Sequence, residues 1–331
     1  MKPRGTLLLT RREVAALLTI EECIAAVERA FKLHGDGNTT PPGILGVHAK
    51  DGGFHIKAGL LELERTYFAA KVNANFPQNV ERFGLPLIQG VIVLCDGENG
   101  YPLALMDSIE ITIQRTGAAT AVAAKYLARP NSKIVTICGC GNQGQISLRA
   151  LARVFSLENV FAWDADPGCA ERFAAELSED LKIKVEVVTD LAKAVSGSDI
   201  CVSCTPSKQP FLKKEFVSPG TFIAAVGADS PEKQELEPGL IAGNKLVVDV
   251  LGQCVAIGEL HHGIESSLVG IEDVHAELGE VIAGVKAGRT STDEIIIFDS
   301  TGMALQDVIS ATLVYEKAIR EGKGMVMNLA A

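Results

Sequence analysis

The first third of the chain combines one helical pattern with several strand-like runs. From Thr10 to Leu33, apolar residues recur at three- and four-residue spacing, which predicts a helix that stops at Gly35-Asp36-Gly37-Asn38. The runs GILGVHA, GFHIKAG, TYFAAKVNA and LIQGVIVLCD follow, separated by Gly, Asp and Asn turns. Consecutive strands with short turns predict an antiparallel or mixed sheet. A helix rich in small residues is predicted next, from Ile109 to Leu127.

At Lys133 the pattern changes to apolar strands that alternate with helices. The predicted strands are KIVTICGCG, NVFAWD, KVEVV, DICVSC, TFIAAVGA, KLVVDV and EIIIFDSTG, and the first predicted helix between them runs from Gln145 to about Phe155. Strands that are apolar on both faces predict a parallel, doubly wound sheet. A last helix, Leu305 to Arg320, is long enough to pack back on the N-terminal part. We therefore expect an α/β protein whose Rossmann-type domain, residues 118–303, is inserted in an α+β domain made of residues 1–117 and 304–331.

Composition narrows the class of protein. The chain has 331 residues, 47% of them hydrophobic, and a formal net charge of −10, which argues against a nucleic-acid-binding surface. No run of about 18 apolar residues predicts a membrane span. The short apolar run near the start is followed by Thr10-Arg11-Arg12-Glu13 instead of a cleavage site, so we expect a cytoplasmic protein.

The cysteines do not indicate a metal site. Cys201 and Cys204 form a CxxC pair, but no second pair and no nearby histidine completes a zinc ligand set. The segment that carries them is typical of a buried strand. We expect reduced cysteines that fill the core, and no bound metal.

The strongest local motif is Gly139-Cys140-Gly141-Asn142-Gln143-Gly144, a GxGxxG sequence between an apolar strand and a helix. That context predicts a dinucleotide-binding loop, with Gly139 in the tight turn, Gly141 beside the pyrophosphate and Gly144 at the helix–strand contact. The amides of Asn142 and Gln143 then lie at the helix N-terminus, which favours phosphate.

Asp164 ends the next strand, twenty residues after Gly144. A carboxylate there can accept hydrogen bonds from the ribose hydroxyls of NAD and repels a 2′-phosphate. A solvated turn aspartate beside Asp166 is the other interpretation. We expect NAD(H) as cofactor, with NADP(H) as the alternative.

Four charged residues are candidates for catalysis or substrate binding. By pattern alone, Lys57 and Lys71 resemble solvated strand lysines. Arg115 lies in a helix of small residues, where a guanidinium can fork onto a carboxylate or phosphate. Asp229 follows the strand TFIAAVGA, at the edge where doubly wound sheets bind ligands, and could act as general acid or base. An Asx-type turn before Pro231 explains Asp229 equally well.

With these residues in place, the chain resembles the ornithine cyclodeaminase/mu-crystallin family over nearly its whole length. The resemblance rests on several motifs in order: AAKVN, GLPLIQG, GYPLALMD, QRTGAATAVAAKYLAR, GCGNQGQ, TPS, GADSPEKQEL, VVDV, GIEDVHAELGEVIAG and IFDSTG. It implies a homodimer in which the N- and C-terminal segments form the substrate-binding and dimerisation domain.

The resemblance also implies roles for individual residues. Lys71 and Arg115 correspond to residues that hold the substrate carboxylate, and Arg115 also faces the cofactor pyrophosphate beside Thr116. Asp229 corresponds to the acid/base near the substrate nitrogen, in the same loop as Lys233. The remaining residues expected to line the cofactor site are Thr205, Val226 and Ser300.

The chain departs from the family pattern at three places. Gly43 follows Pro41-Pro42 where many members carry a basic residue, so we expect Lys57 to replace that residue. His55 stands where ornithine cyclodeaminases use a glutamate that helps to hold the distal ammonium, and Leu87 replaces a common threonine. The first two differences speak against ornithine as substrate.

Together, these features favour an NAD(H)-dependent imino-acid reductase or amino-acid dehydrogenase of the alanine dehydrogenase type, acting on a small substrate. The second interpretation is a cyclodeaminase, a lyase that converts ornithine to proline and ammonia with catalytic NAD. The third is a non-catalytic NAD(P)H and small-ligand binder like mu-crystallin, which the presence of Lys71 and Asp229 disfavours.

Overall fold

The structure, a computed structural model, describes residues 5–329, which form two compact units: residues 5–115 with 303–329, and residues 116–302. The N-terminal stretch contains, in order, β1 (Thr6–Leu9), α1 (Arg11–Leu17), α2 (Ile20–Gly35), β2 (Gly43–Ala49), β3 (Gly52–Glu62), β4 (Thr66–Asn75), α3 (Asn79–Phe83), β5 (Ile88–Asp96), β6 (Pro102–Asp107) and α4 (Ile109–Leu127). The helix α4 has the bounds that its pattern predicts, and the unit boundary falls within it.

The helix predicted from Thr10 to Leu33 is two helices, so that prediction is wrong. The backbone is extended at Leu18, and Thr19 caps a new helix by accepting a hydrogen bond from the amide of Glu22. Glu22 in turn accepts from the amide of Thr19, which makes a capping box like that of Thr10 and Glu13 at the start of α1. Two capping boxes nine residues apart indicate two helix starts, which the continuous apolar spacing alone does not show.

The second unit is an alternation of strands and helices. It contains β7 (Ile134–Cys138), α5 (Asn142–Val154), β8 (Asn159–Trp163), α6 (Pro167–Leu181), β9 (Lys184–Val187), α7 (Leu191–Ser196), β10 (Ile200–Ser203), β11 (Phe222–Ala225), α8 (Pro238–Ile241), β12 (Lys245–Val248), α9 (Leu251–Ile257), α10 (Glu259–Glu265), β13 (Val274–Glu277), α11 (Leu278–Ile282) and β14 (Ile296–Asp299). All neighbouring strands are parallel, in the order β13-β12-β14-β11-β10-β7-β8-β9. This sheet confirms the predicted doubly wound α/β class.

The chain then returns to the first unit with α12 (Ala304–Glu321) and β15 (Met325–Met327). The sheet of this unit has the order β15-β1-β6-β5-β4-β3-β2, and it is mixed because β1 is parallel to β6. The helix α12 packs on β3 and β4. A Cβ at Gly59 in β3 would lie 2.9 Å from Leu305 Cδ2, so this glycine allows the helix to approach the strand closely.

The helices described between residues 5 and 329 include none with the length and apolarity needed to cross a bilayer. The cysteines are free, and Cys201 is buried in β10, with its sulfur 4.0 Å from that of Cys138. Cys204 follows the strand and is partly buried. The CxxC pair therefore belongs to the packing of the second unit, as its apolar setting predicts.

Candidate functional site

The glycine-rich loop after β7 has a backbone that other residues would strain. Gly139 has φ +102°, and a Cβ there would lie 2.9 Å from the carbonyl oxygen of Cys204. A Cβ at Gly144 would lie 2.1 Å from the carbonyl oxygen of Gly139. Gly141 faces open space. Two glycines are thus required by close packing, and the third leaves room for a ligand against the backbone.

The helix that follows this loop begins with uncapped amides. The helix α5 begins at Asn142, three residues before the predicted start. Its N-cap is Gly141, which has no side chain to accept a hydrogen bond from the first amides of the helix. Unsatisfied amides and the positive end of the helix dipole form an anion site. The loop therefore fits the pyrophosphate of a dinucleotide.

Asp164, at the end of β8, lies against the same loop. Its carboxylate accepts hydrogen bonds from the backbone amides of Cys140, at 2.7 Å, and Asp166, at 2.9 Å. The first of these bonds joins the aspartate directly to the glycine-rich segment. Asp166 instead caps α6, where its side chain accepts a hydrogen bond from the amide of Gly168.

Three other predicted cofactor residues follow neighbouring strands of the same sheet. Thr205 comes after β10, Val226 after β11 and Ser300 after β14, so all three lie at the carboxyl edge that also carries the glycine-rich loop. The amide of Ser300 donates to the carbonyl of Ala225 at 2.9 Å. The topology thus brings these residues to one edge of the sheet, where doubly wound folds bind ligands.

Buried carboxylates that sequence reasoning missed hold these loops in place. Glu235 accepts from the amide and hydroxyl of Thr205, at 2.5 and 2.7 Å, and from the amide of Gly227. Asp249 accepts from the amide of Gly302 at 2.6 Å and from the hydroxyl of Ser300 at 3.2 Å. Asp249 has a signal in the sequence, because it is a charged residue within the apolar run VVDV, whereas the polar segment around Glu235 gives none.

Two further buried acids, Glu259 and Asp299, have no cationic partner among their described contacts. Glu259 accepts from the amides of Glu235 and Leu236, and Asp299 accepts from that of Leu260. Burial raises the pKa of Glu259 well above its ordinary value, and the neighbouring Glu235 and Asp299 raise it further. Burial also raises the pKa of Asp299 to about 7. This end of the second unit is therefore a network of backbone amides and carboxyl groups.

Asp229 and Lys233 form an ion pair in the loop after β11. The ammonium of Lys233 donates to Asp229 Oδ1 at 2.6 Å. The side chain of Asp229 is 57% exposed, whereas that of Lys233 is 22% exposed. The lysine thus orients a carboxylate that solvent and a ligand can reach.

In the first unit, Lys57 and Lys71 are buried, which corrects the interpretation of them as solvated strand lysines. Residue exposures are 9% and 3%. The two residues are direct partners in the register of β3 and β4, so their side chains leave the same face of the sheet. That face is covered by α12, which explains why these two strand lysines are buried.

A buried ion-pair cluster joins this sheet to α12. The ammonium of Lys71 lies 2.9 and 2.7 Å from the two oxygens of Asp307, and Arg115 Nε lies 3.3 Å from Oδ1 of the same carboxylate. Arg115 also donates to the side-chain oxygen of Gln306 at 3.1 Å. Asp307 is 2% exposed and was missed, because a lone aspartate in a predicted helix is usually solvated.

The described contacts of this cluster bring two cations to one carboxylate. Lys71 and Arg115 share Asp307, and the positive charge of Lys57 acts on both Lys71 and Asp307. Burial lowers the pKa of Lys71 to about 7; Arg115 and Lys57 lower it as well, while Asp307 opposes them. Burial alone would raise the pKa of Asp307, but Lys71 and Arg115 outweigh it and lower that pKa. The ammonium of Lys71 beside the guanidinium of Arg115 is suited to binding an anionic ligand.

Thr116 begins the second unit and is 7% exposed. It lies in α4, where its carbonyl accepts from the hydroxyl of Thr120 at 3.2 Å. The next residue, Gly117, allows α4 to approach α5, because a Cβ there would lie 2.8 Å from the carbonyl oxygen of Ile146. The cofactor role expected for Thr116 stays a prediction.

Residues 4–322 match the sequence profile of the ornithine cyclodeaminase/mu-crystallin family. The chain belongs to that family. Alanine dehydrogenase of Archaeoglobus fulgidus is 41% identical over 319 residues, which cover 96% of this chain and 97% of the relative. Membership confirms the resemblance carried by the motifs.

Solved structures of the family superpose closely. An archaeal alanine dehydrogenase dimer with bound NAD has a TM-score of 0.93 at 41% identity, covering 98% of this chain and 99% of the other. Δ1-pyrroline-2-carboxylate reductase of Thermococcus litoralis, in complex with NADH and L-proline, has a TM-score of 0.92 at 36% identity, covering 97% and 100%.

Proposed function

We propose that the protein is an NAD(H)-dependent oxidoreductase that reduces a small α-imino acid to the amino acid, or oxidises that amino acid in the reverse direction. The observation that carries the proposal is the cluster in which Lys71 and Arg115 share Asp307 next to Lys57. Lys71 and Arg115 share one carboxylate and can bind a second, because a carboxylate matches a guanidinium beside an ammonium. The family relatives named alanine dehydrogenase and pyrroline-2-carboxylate reductase act on substrates of this kind.

The second unit would hold the cofactor. The amides at the start of α5 and the open backbone at Gly141 suit the pyrophosphate, Asp164 suits the ribose hydroxyls, and Thr205 and Ser300 lie at the same sheet edge. When bound, NADH supplies the hydride. Two relatives with solved structures hold NAD or NADH, which supports NAD(H) over NADP(H).

The chain's own residues would bind the substrate, orient it and exchange a proton with its nitrogen. Lys71 and Arg115 fix the carboxylate, and positioning of this kind supplies much of the rate of a two-substrate reaction. The Asp229 carboxylate, oriented by Lys233 at 2.6 Å, would accept a hydrogen bond from the protonated imine nitrogen and exchange a proton with that nitrogen as general acid or base. Asp307 stabilises the two cations while no substrate is bound.

We further propose that the protein is a homodimer in a reducing compartment such as the cytoplasm. An exposed apolar face on the first sheet supports the dimer, with Leu45, Val47 and Val91 all at least 41% exposed, and the archaeal relative is described as a dimer. The eight free cysteines support a reducing compartment, because cysteines stay reduced there instead of forming disulfides.

One assay separates this function from its alternatives. The protein is given NADH with pyruvate and ammonium, with a cyclic imino acid, and separately NAD with ornithine, while NADH absorbance and ammonia are followed. Loss of NADH with an imino substrate is the expected result. Ammonia release from ornithine with no net change in NADH would instead indicate a cyclodeaminase, and no turnover with any substrate would indicate a binding protein.

A further inference from the structure

Two adjacent histidines and a glutamate converge at the end of α10. His261 Nε2 lies 3.5 Å from Glu265 Oε1, and His262 Nδ1 lies 3.6 Å from Glu265 Oε2. One ligand atom from each of the three residues lies within 4.8 Å of the others. The function proposed above does not use this cluster, which belongs entirely to the second unit.

Backbone carbonyls fix which nitrogen of each ring carries a proton. His261 Nδ1 lies 3.1 Å from the carbonyl oxygen of Val255, and His262 Nε2 lies 2.8 Å from that of Lys233. A carbonyl only accepts, so these two nitrogens are the donors. In the neutral rings, the lone pairs therefore lie on His261 Nε2 and His262 Nδ1, the two nitrogens that face Glu265.

Lone pairs that face a carboxylate repel it unless a proton or a metal ion lies between them. The two nitrogen–oxygen separations, 3.5 and 3.6 Å, exceed the ~2.7–3.2 Å of a direct hydrogen bond, which disfavours a proton in that position. Each separation joins one imidazole to a different oxygen of Glu265 and is close to the ~3.3–3.4 Å expected between two ligand atoms on an ion with bonds of ~2.0–2.1 Å. Histidines whose second nitrogen donates to a backbone carbonyl are also the usual form of metal-binding imidazoles.

We propose that His261, His262 and Glu265 form a binding site for a divalent transition-metal ion of the Zn²⁺ type, with water completing the coordination. Imidazole and carboxylate ligands select this class over calcium or magnesium, which prefer oxygen alone. Glu265 is 63% exposed and the histidine side chains are 23% and 13% exposed, so an ion can enter from solvent. In the motif ELHHGIE, the two histidines stand four and three residues before Glu265, so one helical turn brings both of them to the same carboxylate.

The test is a calorimetric titration of the full-length protein with Zn²⁺, without an affinity tag and with its cysteines kept reduced. Glu265→Gln removes the ligand charge but preserves side-chain size, and His261→Ala removes one imidazole. His275→Ala is the matched control, because His275 also bonds a backbone carbonyl, that of Ala287 at 2.7 Å, but lies outside the cluster. Far-ultraviolet circular dichroism checks that each variant is folded.

We expect one equivalent of Zn²⁺ to bind to the wild type and to His275→Ala, and binding roughly tenfold or more weaker in Glu265→Gln and His261→Ala. Substitution by Co²⁺ should give visible absorption without a sulfur charge-transfer band. Equal affinity in all four proteins, no binding to the wild type, or a thiolate band would each overturn the proposal. None of these outcomes depends on substrate turnover, so failure here leaves the proposed oxidoreductase function intact.

Discussion

Lys57 and Lys71 face each other in register across β3 and β4, and both are buried. Like charges at directly opposed positions destabilise a sheet, and burial removes the water that would screen them. Asp307 contacts Lys71 directly, and the charges of Asp307 and Lys57 also act on each other. A substrate carboxylate bound beside Lys71 and Arg115 would add further favourable electrostatic interactions.

Replacing Lys57 by Met should weaken substrate binding without affecting the cofactor. The methionine preserves the length of the side chain and removes its charge. Loss of one charged hydrogen bond is worth about 1.5–3 kcal/mol, so we expect KM for the imino or amino acid to rise roughly ten- to a hundredfold. NADH affinity should stay constant, because the glycine-rich loop lies in the other unit.

The control for that variant is Lys50→Met, a lysine in the exposed turn after β2. Steady-state kinetics of both variants decide the matter. If the substrate kinetics of Lys57→Met match those of Lys50→Met and the wild type, Lys57 does not bind the substrate carboxylate. Lys71 and Arg115 alone would then bind it.

Affinity for a carboxylate should fall as pH rises through about 7. Burial lowers the pKa of Lys71 to about 7, and only the protonated lysine attracts an anion. Binding is therefore strongest below that pKa and weakens as the lysine loses its proton above it. Titration with a simple carboxylate such as propionate measures this directly, since the probe itself does not titrate in that range.

Lys71→Arg is the informative comparison, because a guanidinium keeps its charge throughout. Its carboxylate affinity should be flat between pH 6 and pH 9 (roughly one unit below and two above that pKa). If wild type and Lys71→Arg show the same pH dependence, a group other than Lys71 controls binding.

Elements with local signals could be predicted from the sequence, and those that depend on distant partners could not. The helix from Ile109 to Leu127 is read from its own residues, as is the loop at Gly139. The short strands Thr6–Leu9 and Met325–Met327 pair with each other from opposite ends of the chain, and no local pattern indicates that pairing.

The same distinction applies to the candidate site. Arg115 and Asp229 could be singled out from their surroundings in the sequence, and Lys71 could be singled out because a family motif contains it. Asp307 could not, since its meaning depends on Lys71, 236 residues away in sequence. Glu235 and Glu259 were missed for a similar reason: buried carboxylates that bond to backbone amides look like surface charges until the loops around them are known.

Asp164→Asn should shift cofactor preference toward NADPH. Asparagine keeps one oxygen for the amide of Cys140 and removes the charge that repels a 2′-phosphate. We expect the ratio of kcat/KM for NADH to that for NADPH to fall at least tenfold. Asp166→Asn, which changes the α6 cap nearby, should leave the ratio unchanged. A wild-type enzyme that already prefers NADPH would refute the role of Asp164.

Asp229→Asn should lower turnover and leave stability intact. The side chain keeps its shape and loses its capacity to transfer a proton, so kcat should fall roughly 10²–10⁴-fold. The exposed position of the residue means that Tm and NADH affinity should change little. Glu232→Gln, which alters a neighbouring exposed charge, serves as control. Near-normal kcat in Asp229→Asn would mean that a group other than Asp229 transfers the proton to the substrate.

The central claim, that hydride passes between the cofactor and the α-carbon of an amino or imino acid, is tested most directly with deuterated cofactor. NADH carrying deuterium on the transferred position is incubated with the protein and the imino substrate that consumes it, and the amino-acid product is analysed by mass spectrometry and NMR. The account predicts one deuterium per product molecule, bonded to the α-carbon, with NAD formed in equal amount. Product without deuterium at the α-carbon, or deuterium that remains in the cofactor while product accumulates, would contradict it.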